Sequence, residues 1–251
     1  MQKIIKLLAQ KSARLSKRET GDIELAVRRQ NLTKYLSRNF VPFNHVKDYL
    51  FHGGQRKLSG RDEQVQHVIE RLMDMDMIVA SPRGSARYRL VDDAGVRRYL
   101  GGGWLEELAW LATLEAGADD ALFSQVIEWE TTGYEGRNEV DVLARVRNHL
   151  LFISCKALKP DFHAYSNVKA KLEKLTYFLH EADNLADHFG SSDDKVVLII
   201  TTDLIDEAAG DKARFPQIFG KAEALGVTIL GLEDLRYEIL VDRLREIVGN
   251  I

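Results

Sequence analysis

The chain has 251 residues, 45% hydrophobic and 29% charged, with 4 prolines and 1 cysteine. That composition excludes a disordered or low-complexity chain, and the lone Cys155 excludes an intrachain disulfide and cannot by itself form a zinc site. The net charge of −3 hides an asymmetry: residues 1–100 hold 20 Lys and Arg against 11 Asp and Glu (+9), which leaves 15 against 27 (−12) for residues 101–251. A basic half beside an acidic half suits a part that holds a polyanion joined to one that gathers carboxylates around a cation; the plainer alternative is an uneven solvated surface. The longest uncharged apolar run, "VVLIITT" at 196–202, is far shorter than the ~20 residues of a membrane helix. The N-terminal "MQKIIKLLAQK" lacks the apolar run of a signal peptide, so a cytoplasmic protein without membrane contact is expected.

In chain order, the first 100 residues read as helices followed by a hairpin. Leu25, Leu32, Tyr35 and Leu36 form a stripe on a helix over 22–39, and a short second helix over 44–51 follows Pro42. A third, capped by Ser59, carries Val65, Val68, Ile69 and Leu72 at i, i+3, i+4, i+7 and presents Gln64, His67, Glu70, Arg71 and Asp74 outward. Met73, Met75 and Met77 read as packing residues. The strands "MIVAS" and "ARYRLV" flank "PRGS". Three helices and a hairpin are the order of a winged helix-turn-helix, in which Arg83 and Arg87 of the loop are the candidate phosphate contacts; use in dimerisation or domain packing is the alternative. Three glycines in "LGGGW" at 100–104 mark a joint. Beyond it the order is a helix over 104–117, a strand over 121–130, two strands within "NEVDVLARVRNHLLFISCK" (138–156), and a helix over about 164–182. A strand over 195–202, a helix over roughly 204–225, the strand "VTILGL" and a last helix complete an α/β (α+β) mixed sheet. The domains are thus 1–100, winged-helix-like, and 101–251.

The chemistry concentrates in the paired strands. Alternation puts Glu139, Asp141, Leu143, Arg145 and Arg147 on one face and Val140, Val142, Ala144 and Val146 on the other. A two-residue turn at Asn148-His149 sets Asp141 opposite Lys156 and Leu143 opposite Ser154. An exposed cross-strand ion pair would contribute only ~0–1 kcal/mol and would not explain Glu139 two residues earlier or Glu106 and Glu107 on the preceding helix. Carboxylates converging at one sheet end repel one another unless a cation lies between them, and such oxygen ligands suit Mg²⁺ or Mn²⁺. A cation there activates water and neutralises charge on a scissile phosphate, with a lysine assisting. His149 reads as a turn residue and Asp203 as the cap of the next helix.

The order α-β-β-β-α-β, with Asp141 on the second strand and Lys156 on the third, resembles the PD-(D/E)xK, or restriction-endonuclease-like, nucleases. "GGWLEE" (102–107), "NEVDV" (138–142), "ISCK" (153–156) and "GVTILGLEDL" (226–235) are similar to the nuclease domain of the CRISPR ancillary nucleases, the cyclic-oligoadenylate-activated effectors. The resemblance implies a metal-dependent nuclease acting on DNA or RNA, a homodimer, and a role in defence against phage. It assigns catalysis to Asp141, Lys156 and Glu106, and metal binding to Asp141 and Glu106 with Glu139, Glu107 and the backbone carbonyl of Cys155 in support. Lys171, Lys174 and Tyr177, along one side of the following helix, are then candidate phosphodiester contacts. One departure stands out: Ser154 occupies the place of the acid expected two residues before the lysine, and a neutral hydroxyl is a poorer ligand for a hard cation. A degenerate nuclease-like protein that binds nucleic acid is therefore the second reading. No βαβ pattern of a CARF sensor is visible in residues 1–100, so activation by a cyclic nucleotide is not carried over.

Overall fold

The computed structural model describes residues 2–16, 21–52, 58, 62–81, 87–131, 133–162, 167–191 and 193–251. Helix α1 (Gln2–Ala9) and strand β1 (Ala13–Leu15) come first, then three helices, α2 (Ile23–Arg38), α3 (Phe40–Phe51) and α4 (Glu63–Asp74), and the antiparallel pair β2 (Ile78–Ala80) and β3 (Tyr88–Leu90). The α5 helix (Ala94–Arg98) runs through a kinked π-helical turn, Tyr99–Gly103, into α6 (Trp104–Glu115). The rest is β4 (Asp120–Thr131), β5 (Tyr134–Val146), β6 (His149–Lys156), α7 (Val168–Phe189), β7 (Lys195–Ile200), the small pair β8 (Ile205–Asp206) and β9 (Lys212–Ala213), α8 (Pro216–Leu225), β10 (Val227–Leu230) and α9 (Tyr237–Gly249).

Six strands form one mixed sheet in the order β1-β4-β5-β6-β7-β10. The pairs from β1 to β6 are antiparallel, while β6–β7 and β7–β10 are parallel, each crossing over through a helix. The first strand was not foreseen. A three-residue strand between Ser12 and Ser16 is too short to show an alternation, yet Ala13, Arg14 and Leu15 pair with Trp129, Glu128 and Ile127 and close the β4 edge.

Apolar residues of α2, α3, α4, α6 and α9 share one cluster with Val142, Ala144, Val146, Leu151 and Ile153 of the sheet. The core therefore continues across the triple glycine: Trp104, fully buried, stacks on Phe40 at 5.5 Å and meets the edge of Phe43 at 5.4 Å. On the opposite side α1 and the end of α7 cover Leu122, Ile127, Val140, Leu143 and Phe152, and α7 and α8 cover Leu198, Ile200 and Val227.

Several local expectations are corrected. The second helix starts at Phe40, before Pro42, because the first turn tolerates proline. The third is capped by Asp62, whose Oδ1 accepts from Gln64 N at 3.0 Å and Val65 N at 3.3 Å; Ser59 lies outside the described residues. Only Met77 of the three methionines is buried, Met73 and Met75 being solvent-facing. The helix expected over 204–225 begins only at Pro216, after the β8–β9 pair, which turns through Gly210 at φ 78°. Asp203 caps no helix; it accepts from Ile205 N at 3.1 Å and binds Arg214 at 2.8 Å.

Candidate active site

The hairpin that carries the candidate acid and lysine is two residues away from its expected register. Val146 pairs with His149 and Val142 with Ile153, so the turn residues are Arg147 and Asn148 and His149 opens β6. Arg147 takes φ 56°, as a tight hairpin turn demands. Moving each partner by two residues leaves every side chain on its face, so hydrophobic alternation cannot distinguish the two registers. Asp141 consequently lies beside Ser154 and Cys155 instead of opposite Lys156: the Cys155 N–H donates to its Oδ2 at 2.6 Å and the Ser154 hydroxyl at 3.3 Å.

The expected alternation along β5 is also broken. The β4–β5 ladder runs from Phe123↔Val142 to Gln125↔Val140 without a bridge between, where Ser124, at φ 49°, faces Asp141. Above this rung Ala121, Phe123, Val142 and Ala144 enter the α6 side of the core; below it Ile127 and Val140 enter the α1 side together with Leu122 and Leu143. A serine held in the left-handed region is strained, and such outliers concentrate at functional sites. Its hydroxyl donates to Oε2 of Glu106, from the first turn of α6.

Glu106 lies in the field of Asp141. Burial, opposed by the Ser124 hydrogen bond and reinforced by the Asp141 charge, pushes the Glu106 carboxyl up to about 7. Burial likewise raises Asp141, against the Cys155 N–H and the charge of Lys156. Lys156 ends β6 with its Nζ 2.9 Å from Oε2 of Glu181 on α7 and 5.4 Å from the Phe178 ring. The Cys155 thiol turns inward toward the carbonyl of Leu105 at 3.9 Å, and burial pushes it well above its ordinary range.

The other proposed carboxylates are each bound to an arginine, although the charge of Glu139 still raises both Glu106 and Asp141. Glu107, 2% exposed, takes both Nε (2.8 Å) and a terminal nitrogen of Arg29 from α2, and Arg29 also lies 4.0 Å over the Tyr99 ring. Consecutive helix residues point about 100° apart, so Glu106 and Glu107 cannot both face the sheet rung. Glu139 is exposed and bound to Arg98 at 3.1 Å. Among the described residues no group of three or more His, Cys, Asp or Glu could hold a metal ion together. The site thus offers a pair of carboxylates with a lysine at its edge.

Of the candidate phosphate contacts, Tyr177 is 64% exposed and Lys174 is exposed beside the rings of Phe162 and Phe178. Lys171 is 5% exposed, because the four-residue steps to Leu175 and on to Leu179 set it on their apolar stripe of α7; it is not a surface contact. Arg87 is exposed, its N–H bound to the Tyr49 hydroxyl at 2.5 Å, and Arg83 lies outside the described residues. Ser124, Glu181, Arg29 and Arg98 escaped the sequence reading, since each acts through a partner distant in sequence.

An acid in a central strand of the mixed sheet, a lysine at the end of the next and a glutamate on the preceding helix thus lie in one region of an α/β fold. Residues 93–189, which contain all three, match the family model described as Card1-like, endonuclease domain, and this stretch is related to the CRISPR-associated nucleases. The fold is shared with protein VC1899 from Vibrio cholerae (TM-score 0.68, 17% identity, covering 98% of this chain and 61% of that one). It is shared also with Can2 from Sulfobacillus thermosulfidooxidans, solved with cyclic tetra-adenylate (TM-score 0.62, 12% identity, 96% and 60%). The chain therefore spans about 60% of the length of these structures. No curated protein matches by sequence. Among the described residues no helix is long and apolar enough to cross a membrane.

Proposed function

We propose that the protein is a metal-dependent nuclease that hydrolyses phosphodiester bonds in DNA or RNA in CRISPR-associated defence. The observation that supports this reading is the placing of Glu106 in the field of Asp141, both carboxyls partly buried and raised by burial, with the Lys156 charge acting on Asp141. Mg²⁺ commonly takes only one or two protein carboxylates and completes its shell with water and substrate phosphate, so a two-acid site fits Mg²⁺ or Mn²⁺ without a third acid. The bound cation would supply an activated water and neutralise charge on the phosphate.

The chain's own residues divide the remaining work. Asp141 is held in place by the Cys155 N–H and the Ser154 hydroxyl, and Glu106 by Ser124, so both would present fixed oxygens to a cation. Lys156 donates to a non-bridging phosphate oxygen and favours the charge that accumulates there as the bond breaks. Glu181 holds the lysine in reach. The three helices and hairpin of the N-terminal part serve as a winged-helix module, residues 1–100, that holds nucleic acid or a second subunit of a homodimer, with 101–251 as the nuclease part; the protein is cytoplasmic.

The second reading is a degenerate nuclease that binds without cutting. It is favoured by Ser154 in the place of an acid and by the absence of a three-acid group among the described residues. Single- and double-stranded DNA and RNA, incubated with Mn²⁺ or EDTA and with wild type or Lys156→Ala, decide between them. Cleavage that needs both the metal and the lysine supports the nuclease, and binding without cleavage supports the alternative.

A further inference from the structure

A second polar site lies on the opposite side of the sheet from α6. Lys3 and Lys6 of α1, Arg145 near the end of β5, and Arg147 and Asn148 of the turn line a cavity of about 430 Å³. The bonded carboxylate is Asp119, which accepts from Arg145 Nη1 at 2.8 Å and from the Arg147 backbone N–H at 2.6 Å. Four cations thus face one cavity against one acid. Among the described residues neither Lys3, Lys6 nor the Arg147 guanidinium forms an ion pair, and Lys3 and Lys6, one helical turn apart, repel each other. Arg145 is only 8% exposed, and its Nε–H is buried without an acceptor. A buried donor left unpaired is costly, and an anionic oxygen entering this cavity would complete it.

A solvated lysine face would account for Lys3 and Lys6 alone. It does not account for a buried arginine with an unpaired donor among the residues that line the same cavity. We propose that this cavity binds phosphate groups of a nucleic-acid backbone, as an exosite. The turn lies six residues along β5 from Asp141, or roughly 20 Å, several nucleotides of an extended strand. Its function would be to hold a long substrate, and it rests on different residues from the proposed catalysis.

The experiment compares wild type with Lys3→Gln/Lys6→Gln/Arg147→Gln, all exposed positions, by fluorescence anisotropy on labelled oligonucleotides in EDTA across a salt series. The expected result is at least a tenfold loss of affinity at low salt and a log–log salt slope shallower by about 2 to 3, one per lost contact. Unchanged affinity and slope overturn the exosite. So does a wild type that binds no oligonucleotide but is stabilised by inorganic phosphate through these residues, which would make it a site for free phosphate. A second readout separates the exosite from the nuclease reading. With Mn²⁺ the variant should cleave a substrate of three or four nucleotides as wild type does and show a raised KM only on long substrates. Equal loss on both lengths overturns the exosite, whereas a wild type that binds but never cleaves leaves the exosite standing and removes the nuclease.

Discussion

Arg29→Ala should destabilise the whole molecule, because Arg29 is the counterion of a carboxylate that has no other route to solvent. Arg29 is 9% exposed and Glu107 2%, and the guanidinium makes two-nitrogen contact with the carboxylate while covering Tyr99. Removing one member of such a buried pair leaves an uncompensated charge, which costs about 3–5 kcal/mol. For a chain of this length that corresponds to a fall in Tm on the order of 10 °C. The pH dependence has a definite sign. Burial already raises the Glu107 carboxyl, and Arg29 is the chief influence opposing it. In the variant the folded carboxyl rises further above its unfolded value, so its favourable contribution is present while it is protonated and is lost as pH rises through the folded value. The gap between wild type and variant is therefore widest near neutrality and narrows as pH falls toward the ordinary carboxylate range. Urea unfolding and thermal melts at pH 5 and pH 7.5 measure it. A variant that melts within about 2 °C of wild type at neutral pH, or a gap that widens in acid, would refute the account of the pair.

Lys156→Ala should lower cleavage by about 100-fold or more while leaving the melt nearly unchanged, as loss of one partly exposed ion pair implies. Glu181→Gln should lower kcat by roughly tenfold with KM preserved, and Glu181→Asp should recover part of it, as initial rates on a fluorogenic substrate will show if Glu181 positions the lysine. Protons and cation compete for Glu106, which titrates near 7, so Mn²⁺ affinity should rise about tenfold from pH 6 to pH 8, and Glu106→Gln should abolish that rise in a paramagnetic resonance titration. Ser154→Asp places a second acid beside Asp141 in a buried position; its melt should drop without metal and recover on adding Mn²⁺ by more than the wild-type shift.

The elements that could be read from sequence are those whose burial follows a simple period. Val65, Val68, Ile69 and Leu72 on α4, and the apolar runs of β6 and β7, are buried as their spacing demands. Asp141, Lys156 and Glu106 are singled out by the family resemblance instead, and the order of elements brings them to one region of the sheet. What escaped depended on tertiary geometry. The hairpin register rests on the Arg147 conformation, and a shift by two residues is invisible to the face pattern. Glu106 and Glu107 are adjacent and chemically alike, yet only the position of Arg29, 78 residues away, shows which of them is taken. The β8–β9 pair replaced a helix because Gly210 turns the chain and Pro216 sets a late start.

The rung formed by Ser124 and Asp141 behaves like a crossover stitch in a fabric. On one side of it a substitution disturbs α6 and the helices stacked outside it; on the other, two residues away, the same substitution disturbs α1 and the tail of α7. A mutation that restored regular weave would relieve the serine at the expense of the aim of both carboxylates.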